Sequence, residues 1–243
     1  MRNVWIIAGR EFRHVFISPV AYAVAAMVLL ILGGLFAVNV YFGILSGGLA
    51  PDGRMVLGAL VTILLFATPA ITMRALADEQ RMGTLELLLT APVRDAEVVV
   101  GKWLGAMGFM VLLLAATWVY PLILHRITSP GIDQGVLVSA YLGLLAMTAA
   151  MVAIGVLISA LFTSAVAAFF TTLAVLLGLW ILGGFAGGGG TSSEVLRYLS
   201  FVDHYYTNLY RGVLDLADLV YYLSLTALAL FIGSQVVEAR RWR

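Results

Sequence analysis

The feature that most constrains this chain is a series of long stretches without any charged side chain. No charge falls between Arg13 and Asp52, none between Arg54 and Arg74, and none from Gln134 to Ser193. A membrane-spanning helix needs roughly 20 mostly apolar residues, and each stretch has room for one or two. The stretches are continuously apolar rather than alternating, which argues against barrel strands. The pattern therefore predicts an all-α integral membrane protein.

The charges that bracket these stretches predict six transmembrane helices in one domain covering residues 1–243. The spans are expected at about residues 20–41, 55–74, 101–124, 136–158, 165–185 and 217–237, with the turn between the fourth and fifth at Ser159–Ser164. Hydrophobic residues make up 62% of the chain and charged residues 11%. A soluble domain is nearer 45–50% apolar and about 25% charged, so lipid must solvate much of this surface.

Residues 1–16 precede the first span and have the pattern of an amphipathic helix at the membrane surface. At 100° per residue, apolar side chains share one face and basic side chains lie opposite, with Ile6 and Ile7 as imperfections. The apolar face comprises Val4, Trp5, Ala8, Phe12, Val15 and Phe16, and the opposite face Arg10, Arg13 and His14. The alternative is a simple polar segment leading into the first span.

The distribution of basic residues predicts the orientation. With the N-terminus inside, ten basic residues fall in cytoplasmic segments and four in outer segments, which matches the positive-inside rule. The inner set is Arg2, Arg10, Arg13, Arg74, Arg81, Arg94, Lys102, Arg240, Arg241 and Arg243, and the outer set Arg54, Arg126, Arg197 and Arg211. We therefore expect both termini in the cytoplasm and the protein in the cell (inner) membrane.

The residues that several kinds of functional site require are missing from this chain. The chain has no cysteine, its three histidines have no zinc-ligand spacing, and the glycines at 187–190 are not followed by the lysine of a phosphate-binding loop. The net charge of +1 offers no basic face for nucleic acid. Ionisable residues are missing from the span centres, which argues against a proton-coupled carrier. We expect no catalytic, metal or cofactor site in this chain.

The segment between the second and third spans is the most informative. Gly83 can end a helix in the left-handed conformation, Thr84 can cap a new short helix, and Pro92 can end it. That short helix is apolar nearly all round, so it needs a groove to fill; a re-entrant turn against its own bundle is the alternative. Its apolar side chains are Leu85, Leu87, Leu88 and Leu89.

The run from Asp78 to Val93, followed by Gly101 and Lys102, resembles the signature of the ABC-2-type permeases, the membrane subunits of ATP-driven exporters. The likeness extends to Phe16–Tyr22 and to the last span with its tail, Tyr221–Ala227 and Glu238–Trp242. The nearest branch resembles the gliding-motility and nitrous-oxide-reductase-maturation permeases. Within the third span, Gly101, Gly105 and Gly108 form a small-residue stripe that allows close helix contact, either with a second permease or within the chain.

The resemblance implies a cytoplasmic coupling helix that enters a cleft on a separate ABC ATP-binding subunit. It implies two such subunits, which carry the ATP and magnesium, together with a second permease, identical or homologous, and room for an accessory membrane subunit. The expected coupling residues are Glu79, Arg81, Gly83, Thr84, Leu85, Glu86, Leu88 and Pro92. The cargo stays unidentified, with a lean towards amphipathic or lipid-like molecules.

The outer segment between spans five and six is aromatic and amphipathic, and we expect short helices that form an outer gate. Its candidate residues are Tyr198, Phe201, Asp203, Tyr205, Tyr206 and Arg211. The alternatives to a permease are a channel, an ion-coupled secondary carrier, or a membrane anchor or scaffold subunit of another complex. Copurification of an ATPase would separate the permease from these alternatives.

Overall fold

The computed structural model describes residues 2–45, 54–83, 94–128, 131–185 and 198–241, and within these ranges it is helical and has no strand. The helices are α1 (Arg2–Ile17), α2 (Pro19–Leu45), α3 (Arg54–Thr72), α4 (Ala77–Arg81), α5 (Asp95–Thr117), α6 (Val119–Ile127), α7 (Gln134–Leu161), α8 (Ala165–Ile181), α9 (Asp203–Thr207) and α10 (Leu216–Arg241). Short 3₁₀ turns lie at Leu182–Phe185 and Leu209–Arg211.

Six segments of the described chain are long and apolar enough to cross a membrane. They are Pro19–Leu45, Val56–Arg81, Asp95–Ile127, Gln134–Leu161, Ala165–Phe185 and Leu216–Arg240. The second segment joins α3 to α4, and the third joins α5 to α6 through Trp118. The predicted all-helical fold with six spans is confirmed.

The centre of the bundle is α7, which contacts α3, α5, α8 and α10. In the most apolar stretch of α7, 72% of the residues are buried, and in that of the α3 segment 67% are buried. In the corresponding stretches of α2 and α8 only 17% are buried. α2 and α8 each pack on α3 and leave most of their surface outside the fold. The core therefore lies along α7 and α3, with α2 and α8 at the periphery.

Helix α1 packs along α5 on the glycine stripe of that helix. A Cβ atom at Gly105 would lie 2.6 Å from the Glu11 Cβ and 3.0 Å from the Ala8 carbonyl oxygen, so the two backbones approach closely only because that Cβ is absent. The stripe is therefore used within the chain. Of the apolar side chains of α1, Ile7, Ala8 and Val15 are buried against the bundle, whereas Trp5 is 71% exposed. The reason is that the glycines of α5 select the face that can fit closest.

Different side-chain hydrogen bonds join the helices at the two ends of the bundle. At one end Gln80 donates to the Ala160 carbonyl (2.7 Å) and Arg240 to the Leu161 carbonyl (3.0 Å), which brings α4 to the carboxyl ends of α7 and α10. The turn between α7 and α8 covers residues 162–164 and is shorter than the predicted Ser159–Ser164, because Ser159 lies inside α7. At the other end Tyr210 donates to the Arg54 carbonyl (2.9 Å).

Candidate functional site

The first element of the site is the break between α3 and α4, which is held by a side chain from α7. The Ser159 hydroxyl accepts from the backbone N–H groups of Leu76 (3.0 Å) and Ala77 (3.1 Å) and donates to the Met73 carbonyl (3.1 Å). A hydroxyl has one donor and two acceptor positions, so this arrangement uses all of them. Ser159 is fully buried. The helix break is therefore a fixed corner with satisfied backbone groups.

After this corner, α4 ends as the sequence predicts. Gly83 has φ +69°, the left-handed conformation that glycine adopts without strain. The N–H groups of Met82 and Gly83 bond to the carbonyls of Asp78 (3.0 Å) and Gln80 (3.2 Å), which closes the last turn. The predicted coupling residues that follow lie outside the described residues: Thr84, Leu85, Glu86, Leu88 and Pro92.

A buried ion cluster joins α1, α4 and α5. The Lys102 Nζ lies 2.9 Å from Glu79 Oε1 and 3.1 Å from Glu11 Oε2, and Lys102 is 1% exposed. Arg10 reaches the same Glu79 oxygen from the surface at 3.2 Å. A buried ion requires such partners, because an unpaired charge there would be strongly destabilising. Glu79, one of the expected coupling residues, thus pairs with residues of its own chain, whereas Arg81 is exposed.

The start of α5 is also tied to α1. Glu97 accepts from the Arg94 backbone N–H at 3.1 Å, which satisfies a free donor at the helix start, and from the Asn3 side chain at 3.2 Å. Both flanks of the segment 84–93 are therefore anchored on α1, one through Glu79 and the other through Glu97.

The other end of the bundle holds the aromatic residues expected in an outer gate. Phe201 and Tyr205 are buried in the core, while Tyr198 is 64% exposed and Arg211 is exposed. Tyr206 donates to the Gly58 carbonyl at 3.3 Å. Burial raises the pKa of the Tyr205 and Tyr206 hydroxyls above the ordinary tyrosine value, so both stay neutral at physiological pH.

His204 and Asp218 form a polar pair beside these aromatics. His204 Nδ1 lies 2.7 Å from Asp218 Oδ1, and Nε2 lies 2.9 Å from the Tyr198 carbonyl oxygen. The ring also stacks on Tyr221, with centroids 4.0 Å apart. Both ring nitrogens face acceptors, so both bonds form only with an imidazolium or with a proton on Asp218. The pair borders a cavity of about 620 Å³ that Asp203 also lines.

Sequence reasoning missed Glu11, Lys102, Ser159 and the pair His204–Asp218. For Glu11 a signal existed: it falls between Ala8 and Val15 on the helix face that packs inward. Lys102 stands out in the sequence as one of the inner basic residues and as part of the run that resembles the ABC-2 signature, but nothing there indicates that it is buried in an ion cluster. His204 and Asp218 had no sequence signal, because the segments that bring them together meet only in the fold. Among the described residues, no group of three or more His, Asp or Glu is arranged to hold a metal ion.

Comparisons with known proteins bear on the whole of this architecture. The family model described as ABC-2 family transporter protein matches residues 5–237, which include five whole spans, most of the sixth and both flanks of the segment 84–93. A search of curated proteins finds no match. Members of this family are membrane components of ABC transporters. The chain therefore belongs to the ABC-2 family of transporter proteins.

Proposed function

We propose that this chain is the permease subunit of an ATP-binding cassette exporter, driven by ATP hydrolysed on a separate subunit. The observation that carries the proposal is the family match over residues 5–237, which includes the segment 84–93, whose flanks are held by the Lys102 cluster and by Glu97. The complex has two permeases and two ATP-binding subunits, and ATP with magnesium binds to the latter. It lies in the inner membrane with both termini of this chain in the cytoplasm.

In the proposed mechanism the segment 84–93 docks on the ATPase through Leu85 and Leu88, with Arg81 and Glu86 at the rim of the contact. Apolar side chains exposed at a cytoplasmic surface favour a protein partner, and rim charges set register more than affinity. Glu79 has a supporting role, because its carboxylate is bonded to Lys102. Closure of the ATPases would move α4 and α5, and α1 would move with them.

The second permease would pack against the peripheral helices. α2 and α8 leave large apolar side chains outside this fold, among them Phe42 (60% exposed) and Phe170 (63% exposed). The substrate would move between the two permeases. Span centres without ionisable residues favour an amphipathic or lipid-like cargo, and the aromatic cluster around Tyr205 would close the outer end of the path.

Recovery of the ATPase encoded with this permease tests the docking site. Leu88→Asp places a charge in the apolar contact and should abolish ATPase recovery on the tagged permease, whereas the volume-conserving Leu88→Met should retain it. Glu86→Arg should weaken recovery, and Glu238→Arg is its matched control, because Glu238 is exposed on α10 at the same end of the bundle. Equal recovery by Leu88→Asp and Leu88→Met would refute docking through this segment.

A further inference from the structure

A cavity of about 380 Å³ lies where α1 turns into α2, at the end of the bundle that carries α4. Its volume is at the low end of the range for ligand pockets. It is lined by the end of α1, the Ser18–Pro19 link, the first turn of α2, the end of α3 and α4. Since the candidate span α2 begins here and α3 ends here, a bilayer around the bundle would place the cavity at the boundary between lipid and water.

The lining of this cavity is divided by polarity. On the side of the spans it is apolar, with Val20 and Ala21 from α2 facing Ala70 and Ile71 from α3. On the side of α1 and α4 it carries polar side chains: Glu11, His14, Ser18, Arg74 and Asp78. A molecule that filled it would need a polar head continuous with an apolar body.

The polar side has hydrogen-bonding capacity that this fold leaves unused. Among the described residues, neither the His14 ring nor the Ser18 hydroxyl makes a hydrogen bond. Arg74 Nε lies 4.0 Å from Asp78 Oδ2, at the long limit of an ion pair, and half of the Arg74 side chain is exposed. The guanidinium can therefore offer paired N–H donors to a phosphate, and the carboxylate can accept from an ammonium.

The charges around the cavity balance. Arg74 and Asp78 are opposite in sign, and the Glu11 carboxylate is matched by the buried Lys102 ammonium at 3.1 Å. An anionic headgroup would leave Asp78 close to a second negative charge, whereas a zwitterion satisfies both residues. The ammonium must also keep N–H donors to bond Asp78, which a quaternary amine lacks.

We propose that this cavity is a binding site for the headgroup of a zwitterionic phospholipid with a primary amine. The phosphate bonds Arg74, assisted by His14 and Ser18, and the ammonium bonds Asp78. The start of the acyl region lies against the apolar wall formed by α2 and α3. The proposal does not depend on the docking of the segment 84–93 or on the identity of the cargo.

Native mass spectrometry of the purified full chain, titrated with phosphatidylethanolamine, phosphatidylcholine or phosphatidylglycerol, tests this site. Phosphatidylethanolamine should bind most tightly, and Arg74→Gln and Asp78→Asn should each weaken its binding about tenfold, the value of one charge-assisted bond. Arg81→Gln is the matched control, because Arg81 is exposed on α4 and does not line the cavity. Glycerophosphoethanolamine, which has no acyl chains, should not compete at equal concentration.

A second measurement needs no variant. Phosphatidylethanolamine that carries a photoreactive group at the start of an acyl chain, and so keeps its primary amine, should label peptides containing residues 11–21 or 70–82 of the wild-type chain. Equal affinity for the three lipids, equal binding by Arg74→Gln and Arg81→Gln, or labelling elsewhere would each overturn the proposal. Competition by glycerophosphoethanolamine would overturn the lipid as occupant and favour a free phosphoamine.

Discussion

Lys102 and Glu79 lie on opposite flanks of the segment 84–93, and their charged groups meet at 2.9 Å inside the protein. Glu11 completes the cluster from α1 at 3.1 Å from the same ammonium. One lysine thus fixes the relation of three helices at the end of the bundle where we propose that the ATPase docks. Its burial makes the cluster sensitive to the loss of any one charge.

Lys102→Met should lower the free energy of unfolding by about 3–5 kcal/mol, because it leaves two carboxylates buried without their shared cation. Arg10→Met removes only the exposed partner of Glu79 and should change the free energy of unfolding by less than about 1 kcal/mol. Thermal unfolding in detergent, followed by size-exclusion recovery, measures both variants. Combining Lys102→Met with Glu11→Gln and Glu79→Gln should restore most of the lost stability. A triple variant no more stable than Lys102→Met would contradict this account.

Ser159→Ala should loosen the corner between α3 and α4. It removes the acceptor of two buried N–H groups, those of Leu76 and Ala77, at a cost of about 1–3 kcal/mol. Hydrogen–deuterium exchange should rise over residues 73–81 while the rest of the bundle keeps its protection. Ser224→Ala is the control, since within the described part of the chain that hydroxyl bonds only to the Tyr221 carbonyl of its own helix. Unchanged exchange in Ser159→Ala would show that the corner does not depend on this serine.

Gly105→Ala should push α1 away from α5, because the added methyl would meet Glu11 and the Ala8 carbonyl at 3.0 Å or less. Overpacking of this kind costs about 1–3 kcal/mol and should lower the unfolding temperature. Gly178→Ala is the matched control: apart from its own helix backbone, no described atom lies within 4 Å of its added Cβ, and alanine is the better helix former. Equal unfolding temperatures for the two variants would mean that α1 does not pack on this stripe.

His204→Phe should free the outer segment from the start of α10. It keeps an aromatic ring against Tyr221 but removes the bonds to Asp218 and to the Tyr198 carbonyl, each worth about 1.5–3 kcal/mol when a charge takes part. Amide exchange over residues 198–210 should increase, and Asp218→Asn should have a smaller effect in the same direction. His14→Gln, at the other end of the bundle, should leave this region unchanged. Normal protection in His204→Phe would rule out the pair as an anchor.

Reporter fusions test the orientation that the basic residues predict. Fusions after Arg94 and after Arg243 should report from the cytoplasm, and one within residues 187–190 should report from outside. An external C-terminus would require an odd number of spans and would contradict the six-span topology. The same fusions assign the end of the bundle that carries α4 to the cytoplasm.

Much of the fold could be predicted from the sequence because the constraint is local. A charge-free apolar run has to become a helix in lipid, where every backbone group must be bonded within its own segment. The six spans and the left-handed conformation of Gly83 could therefore be predicted without any knowledge of tertiary contacts. The sequence also identifies the segment 84–93 as a candidate docking element, because four leucines beside charged residues can be recognised without a structure.

Contacts between distant helices were decided only by the tertiary structure. Glu79 appears in the sequence as one more charge near a membrane surface, and only the fold brings Lys102 to it and turns it inward. In the sequence, Ser159 resembles a turn residue. In the structure α7 extends past it, and its hydroxyl bonds to the corner between α3 and α4. The physical reason is that burial, close backbone approach and ion pairing depend on side chains tens of residues apart. The periodicity of apolar residues along one helix shows which residues share a face, but the glycines of α5 determine which face of α1 is buried.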